Sequence, residues 1–228
     1  MAVPRTDDRA RRTLTIPGVY APQHDSQLLM RAIRREEVGP GMDVLDLGTG
    51  TGVLALCAAR RGARVTAIDI SRRAVLCTRM NAVLSRQRVT VRRGDVSAIA
   101  RPDGRRYDVV ISNPPYVPTP PAGLPRSGAA RAWEGGHNGR ALVDQVCVCA
   151  ANALRPGGVL LMVHSALCGS ELTVDRLTAA GLRAEVCDRA LVPFGPVMRS
   201  RLSWLRGRGL VDDGQDKEEL VVIRAEQP

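Results

Sequence analysis

A chain of 228 residues that is 44% hydrophobic and 25% charged has globular composition and enough length to bury a core without disulfide or metal staples. Thirty-three Lys and Arg against 23 Asp and Glu give +10, and every one of those cations except Lys217 is arginine, which allows an RNA, DNA or ribosome-bound partner without choosing among them. No apolar run approaches the ~18–20 residues of a membrane span, and Met1 to Arg12 has no following apolar stretch to make a secretory signal, so no membrane and a cytoplasmic location are expected.

Residues 1–17 are polar, Arg-rich and aperiodic, and read as a flexible tail before a single domain over 18–228. Gln23 to Glu37 reads as a helix with Leu28, Leu29, Ala32 and Ile33 at helical spacing. Strands and helices then alternate. Val44 to Leu47 is a strand ending in glycines, Val53 to Arg61 a helix, and Arg64 to Ile70 a near-continuous apolar strand of the kind covered on both faces. Ser71 caps a helix running to Leu84. Val89 to Val91 and Asp108 to Ser112 are strands, and Asn113 to His137 is a long loop rich in Pro and Gly. A helix from Arg140 to Leu154 stops at Arg155-Pro156-Gly157-Gly158. Val159 to His164 is a strand, Ser170 to Ala180 a helix, and Arg183 to Val192 and Glu219 to Ala225 the last strands, with Pro193 to Gly214 irregular between them. This alternation predicts a doubly wound α/β fold with a mainly parallel sheet.

The cysteines Cys57, Cys77, Cys147, Cys149, Cys168 and Cys187 form no Cys-x-x-Cys pair and have no histidine cluster beside them, so no metal is expected and most read as small buried hydrophobes. His164 lies in an apolar strand and reads as structural. His24 and His137 lie nearer the chemistry, but the reaction inferred below needs no base before transfer. Trp133 either lines a substrate pocket or anchors its loop.

Two stretches carry chemistry. In the first, Asp46-Leu47-Gly48-Thr49-Gly50-Thr51-Gly52 joins a strand to a helix through G-x-G-x-G, where the absence of Cβ atoms lets a ligand approach the backbone. It matches the dinucleotide pattern G-x-G-x-x-G only in part. Asp46 before the turn would repel a pyrophosphate and suits a ligand with a cationic amino group. Asp69 ends the second strand, where a carboxylate takes ribose hydroxyls, with Ile70 beside it. Asp95 and Val96, after the third strand, make a polar and an apolar partner for an adenine ring.

In the second stretch, Asn113-Pro114-Pro115-Tyr116 follows the fourth strand on the same edge. The prolines hold the turn stiff, so the Asn113 side-chain carbonyl and the Pro114 main-chain carbonyl become two acceptors at fixed separation. They suit both hydrogens of a planar NH2 group, a carboxamide or a base's exocyclic amine, beside the flat face of Tyr116. Positioning then matters more than a strong base.

With these motifs the sequence resembles the class I S-adenosylmethionine-dependent methyltransferases. That resemblance implies a Rossmann-like fold, a mostly parallel seven-stranded sheet with helices on both faces, and S-adenosyl-L-methionine as cofactor, held by Asp46, Gly48, Thr49, Gly50, Gly52, Asp69, Ile70, Asp95, Val96 and Asn113. Asn-Pro-Pro-Tyr looks like the N-methyltransferase signature, with Asn113, Pro114, Pro115 and Tyr116 catalytic. Gly18 to Leu29 is similar to the opening segment of HemK-like protein glutamine methyltransferases, which adds Tyr20, Pro22 and Asp25 at the cofactor's methionine end. Trp133 to Arg140 resembles that family's Gly-Gly-x-x-Gly loop, and Pro196 to Val222 the C-terminal hairpin of its compact branch, without the N-terminal helical domain of the longer branch. The implied substrate is a glutamine side-chain amide in a protein such as a translation release factor. In some lineages the implied partner is a small zinc-binding activator subunit. An RNA or DNA base amine, a peptide or small metabolite, and an inactive binding subunit stay open as alternatives.

Overall fold

The computed structural model describes residues 13–96, 106–120 and 135–228. The chain order is α1 (His24–Arg35), β1 (Asp43–Leu47), α2 (Val53–Ala59), β2 (Arg64–Asp69), α3 (Arg72–Leu84), β3 (Val89–Arg93), β4 (Tyr107–Ser112), α4 (Ala141–Ala153), β5 (Leu154–Ser165), a 3-10 turn (Ala166–Cys168), α5 (Ser170–Ala179), β6 (Arg183–Pro193), α6 (Pro196–Ser200), α7 (Leu202–Gly207) and β7 (Lys217–Glu226). Trp133 and Glu134 lie outside the described residues.

One seven-stranded sheet organises these elements in the order β3-β2-β1-β4-β5-β7-β6. Strands β1 to β5 are parallel where they pair, and β7 runs antiparallel to both β5 and β6. The fold is therefore Rossmann-like, mostly parallel, with its helices packed on both faces. Every residue of β1 is buried, as expected for a central strand covered on both sides. One hydrophobic core runs from Leu28 to Ala225, so the first helix and the last strand share the same apolar interior. Among the described residues no helix is long and apolar enough to cross a membrane.

Three local readings change. Residues 13–17, assigned by composition to the tail, are tied to α3: Asn81 Oδ1 accepts the Leu14 N–H and its Nδ2 donates to the Leu14 carbonyl, both at 2.8 Å. The helix α4 stops before Arg155-Pro156-Gly157-Gly158 as read, but these residues already belong to β5, a strand expected only from Val159. Arg155 reaches Asp43 at 2.8 Å and Asp108 at 2.6 Å, and Gly157 and Gly158 exchange backbone hydrogen bonds with Gln227, so edge pairing overrides the turn residues. The irregular segment after β6 holds the short helices α6 and α7, with Phe194 buried at its start.

Strand order reverses between β1 and β4, the crevice where doubly wound folds bind ligands. Register brings the exits together: Leu47 pairs with Ile68 and with Ser112, and Asp69 with Arg93. Since β7 is antiparallel, its start, not its end, lies on this edge, where Leu220 pairs with Ser165 at the end of β5.

The Gly135–Gly139 turn locks the Asn-Pro-Pro-Tyr segment from outside. Gly139 has φ +75°, and a Cβ there would strike the Tyr116 carbonyl and the Cys168 sulfur. Gly135 N–H donates to the Val117 carbonyl at 2.9 Å. Gly139→Ala should therefore cost at least about 2 kcal/mol, the left-handed backbone and the steric clash adding together. Urea denaturation measures it, and a cost under about 0.5 kcal/mol would contradict this packing.

Candidate active site

Two spaces meet at the carboxyl edge of the sheet. The larger is a cleft of about 640 Å³, within the ~300–1,000 Å³ usual for small-molecule sites. The smaller is a cavity of about 60 Å³. Tyr20, Asn113 and Pro115 line both, so these three form the partition and the passage between them.

The glycine loop forms one side of the cleft. Gly48 and Thr49 donate their N–H groups to the Ile68 carbonyl at 2.9 and 3.1 Å, which folds the loop over the end of β2. A Cβ at Gly48 would meet nothing within 4 Å, and one at Gly50 only the Gly48 carbonyl at 4.0 Å. Both positions have positive φ and open onto the cleft, leaving room for a ligand against bare backbone. Gly52 differs. It is not on the cleft wall, and a Cβ there would sit 2.7 Å from Thr78 Cγ2, so this glycine serves the packing of α2 against α3.

Asp69 lines the cleft. Its Oδ2 accepts the Gly50 N–H at 3.0 Å and its Oδ1 the Ser71 N–H at 2.8 Å. A carboxylate offers about four acceptor positions, so these two backbone bonds do not by themselves exhaust it. Ile70, Asp95 and Val96 continue the same wall, and Pro22 and Thr49 also face it. Sequence reasoning did not identify Ser26, Arg72, Arg73, Arg93, Leu142 and Gln145, which line the cleft too. They come from helices and a strand end whose orientation no local motif encodes.

Asp46 lies beneath the loop, fully buried and off the wall. Its Oδ2 accepts the Thr49 hydroxyl at 2.6 Å and the Ala55 N–H at 3.1 Å, pinning the loop to the first turn of α2. Its Oδ1 has no partner among the described residues. Burial pushes its pKa up to about 7, opposed by those two hydrogen bonds. The structure thus places the carboxylate behind Thr49 instead of in contact with a ligand.

Asp25 is likewise absent from the cleft wall and lines the small cavity. One oxygen, Oδ2, collects three donors: Tyr20 Oη at 2.9 Å, Asn113 Nδ2 at 3.0 Å and Tyr116 Oη at 3.2 Å. The other takes the Ser26 N–H and hydroxyl. Because the Asn113 amide nitrogen faces Asp25, its carbonyl Oδ1 is turned away and can accept from a ligand. Burial, reinforced by the Asp25 charge, holds the phenols of Tyr20 and Tyr116 well above the usual tyrosine range, so both remain neutral donors.

Pro114, Pro115 and Tyr116 all border the small cavity, as does exposed His24. Its far wall comes from the C-terminal part of the chain, namely Val192, Pro193, Gly195 to Met198, Glu218 and Leu220. His164 is fully buried, its ring Nδ1 sits 2.8 Å from the Ser165 carbonyl, and burial lowers its pKa to about 4. It borders neither space. The His137 ring meets Trp204 edge-on at 6.3 Å. All six cysteines are free, five are buried, and burial pushes the Cys149 and Cys168 thiols up to about 12, which leaves them inert at neutral pH.

The Asp46 shift has a consequence for stability. A carboxyl whose pKa rises on folding binds its proton more tightly in the native state, so stability falls as pH rises from about 4 to about 7. Glu218, also pushed up to about 7, adds the same sign. Asp46→Asn should remove roughly 1 kcal/mol per pH unit from that slope. Urea titrations at pH 5, 6 and 7 measure it, and an unchanged slope would show that Asp46 does not titrate in this window.

Comparison with known proteins agrees with this geometry. Residues 11–120 match the family model described as methyltransferase small domain. A protein of Methanocaldococcus jannaschii named for protein N5-glutamine methyltransferase activity is 32% identical over 183 residues, covering 80% of this chain and 90% of the relative. The release factor glutamine methyltransferase of Moorella thermoacetica is 36% identical over 64% of this chain and 54% of its own length. Among solved structures, a chain of the E. cuniculi Mtq2-Trm112 complex, described as responsible for methylation of the eRF1 translation termination factor, superposes with a TM-score of 0.63 at 23% identity. That alignment covers 92% of this chain and 99% of the other. The chain is a methyltransferase and belongs to the HemK-like protein glutamine N5-methyltransferase family of the class I S-adenosylmethionine-dependent enzymes.

Proposed function

We propose that the protein transfers a methyl group from S-adenosyl-L-methionine to the side-chain amide of a glutamine in a translation release factor, in the cytoplasm. The observation that carries this reading is the size of the cavity behind the Asn113–Pro115 partition, about 60 Å³. At the ~10–15 Å³ that one water-sized atom needs, it takes about four to six atoms, a carboxamide on its methylene. A two-ring nucleic-acid base has several times the atoms of a carboxamide, which argues against the base alternative.

The donor supplies an electrophilic methyl on a sulfonium. Gly48 and Gly50 offer it bare backbone, Asp69 accepts its ribose hydroxyls, and Asp95 with Val96 flanks its adenine. On the other side of the partition, Asn113 Oδ1 and the Pro114 carbonyl accept the two hydrogens of the substrate amide. These bonds draw electron density onto an otherwise poor nucleophile and aim its lone pair at the cleft. Asp25 holds Asn113 in the orientation that makes this possible, and Tyr116, kept neutral, packs its face beside the nitrogen. The Moorella relative is named for methylation of a release factor, and the Mtq2 structure holds a partner chain, Trm112. A small activator subunit fits the present chain as well. Leu76, Met80, Val83 and Leu84 form an exposed apolar stripe on α3 at helical spacing, beside the edge strand β3.

Incubation of the protein and donor with a release factor should add one methyl to its Gly-Gly-Gln glutamine, read by peptide mass spectrometry, and no mass gain would sink this substrate. Asn113→Ala should lower the rate by roughly 100-fold or more while S-adenosylhomocysteine binding changes little. Asp69→Ala should do the reverse, weakening that binding by about 10- to 100-fold, the worth of a charge-assisted hydrogen bond.

A further inference from the structure

Glu218 stands on the wall of the small cavity, only 5% exposed, close to the start of β7. The Ser165 hydroxyl donates to its carboxylate, while its Oε2 has no partner among the described residues. An unpaired buried carboxylate oxygen is costly and calls for an explanation, and unlike Asp46 Oδ1, which is covered by backbone, Glu218 borders a space a ligand can enter. The mechanism above leaves a matching need. Methylation of an amide nitrogen releases a proton, and Glu218 is on the wall of the small cavity that the carboxamide would enter.

We propose that Glu218 Oε2 accepts that proton. This inference rests on the amide reading above. The nitrogen forms its bond to the methyl carbon, the carbon–sulfur bond breaks with its electron pair going to sulfur, and, as the nitrogen loses its planarity, one of its two N–H protons leaves its carbonyl acceptor at Asn113 or Pro114 and passes to Glu218. The positive charge of the sulfonium and the negative charge of the carboxylate disappear together. Water receives the proton when the methylated product leaves.

The other candidate acceptors on this wall are occupied or outside. Asp25 already serves five hydrogen-bonding contacts on its two oxygens. His24 is exposed at the margin of the cavity. The titratable groups facing Glu218 are Asp25 from α1, Tyr20 ahead of it, Tyr116 after β4 and Cys168 from the 3-10 turn. Burial pushes the Glu218 pKa to about 7, the Ser165 hydroxyl draws it down, and the Asp25 charge raises it. Ionised Glu218 is therefore present above neutrality and lost below it.

The test is single-turnover methylation of an intact release factor by the full chain across about pH 5.5–8.5, with wild type and Glu218→Gln. The wild-type rate should rise with pH, reach half its plateau near 7 and level off above it. The variant should be roughly 100-fold slower at pH 8, the low end for general base catalysis, and flat across pH, with S-adenosylhomocysteine binding within about twofold of wild type as the check that it folds. A variant within about threefold of wild type, or a wild-type profile without this rise, overturns the role of Glu218. A wild type that methylates no glutamine sinks the amide reading instead, and the inference with it.

Discussion

The arrangement around the site depends on one oxygen atom. Asp25 Oδ2 draws Tyr20, Asn113 and Tyr116 onto a single buried acceptor, and these three donors come from the segment before α1 and from the turn after β4. In water such a carboxylate would be solvated and the three side chains free. Buried, its charge is compensated by these donors together with the Ser26 N–H and hydroxyl on its other oxygen, so each is held where it is. The result is a fixed amide orientation at Asn113 and two neutral phenols, which is the preorganisation a methyl transfer without a strong base requires.

Around that centre the sheet supplies position. Parallel strands β1 to β4 all end at one edge, and the order reversal between β1 and β4 opens the crevice into which the Gly48 and Gly50 backbone faces. The Gly135–Gly139 turn backs the Tyr116 carbonyl from the far side, so the stiff Pro114-Pro115 segment is held at both faces. The two carboxyls whose pKa burial raises, Asp46 and Glu218, sit on opposite sides of this arrangement, one beneath the loop and one on the wall of the small cavity. Burial is the leading cause for both. They differ in use, because Asp46 is buried under backbone while Glu218 borders a space.

Much of the fold and half of the site could be read directly. The strands and main helices fall within a few residues of their sequence positions, because apolar period and flanking Gly, Pro and Ser are local signals. The readings that failed involve distant partners. Composition made 13–17 a tail, yet Asn81 in α3 binds Leu14 on both its backbone groups. Pro156 and the two glycines after it do stop the helix, which ends at Ala153, but the strand expected from Val159 already begins at Leu154, because Arg155 pairs with Asp43 and Asp108. Asp46 and Asp25 were identified as important acids, but their depth, behind Thr49 and behind Asn113, is not a local property.

By itself, the order of residues determined the glycine loop, the acids at three strand ends, the Asn-Pro-Pro-Tyr turn and so the type of reaction, since each is a short run whose chemistry depends on neighbours in the chain. Only the tertiary structure decided the size of the substrate cavity and the presence of Glu218 in its wall. Glu218 lies more than a hundred residues from Asn113, in a charged run that marks no motif. It arrives because β7 enters the sheet antiparallel, between β5 and β6, and so turns its first residues toward the edge where the parallel strands end.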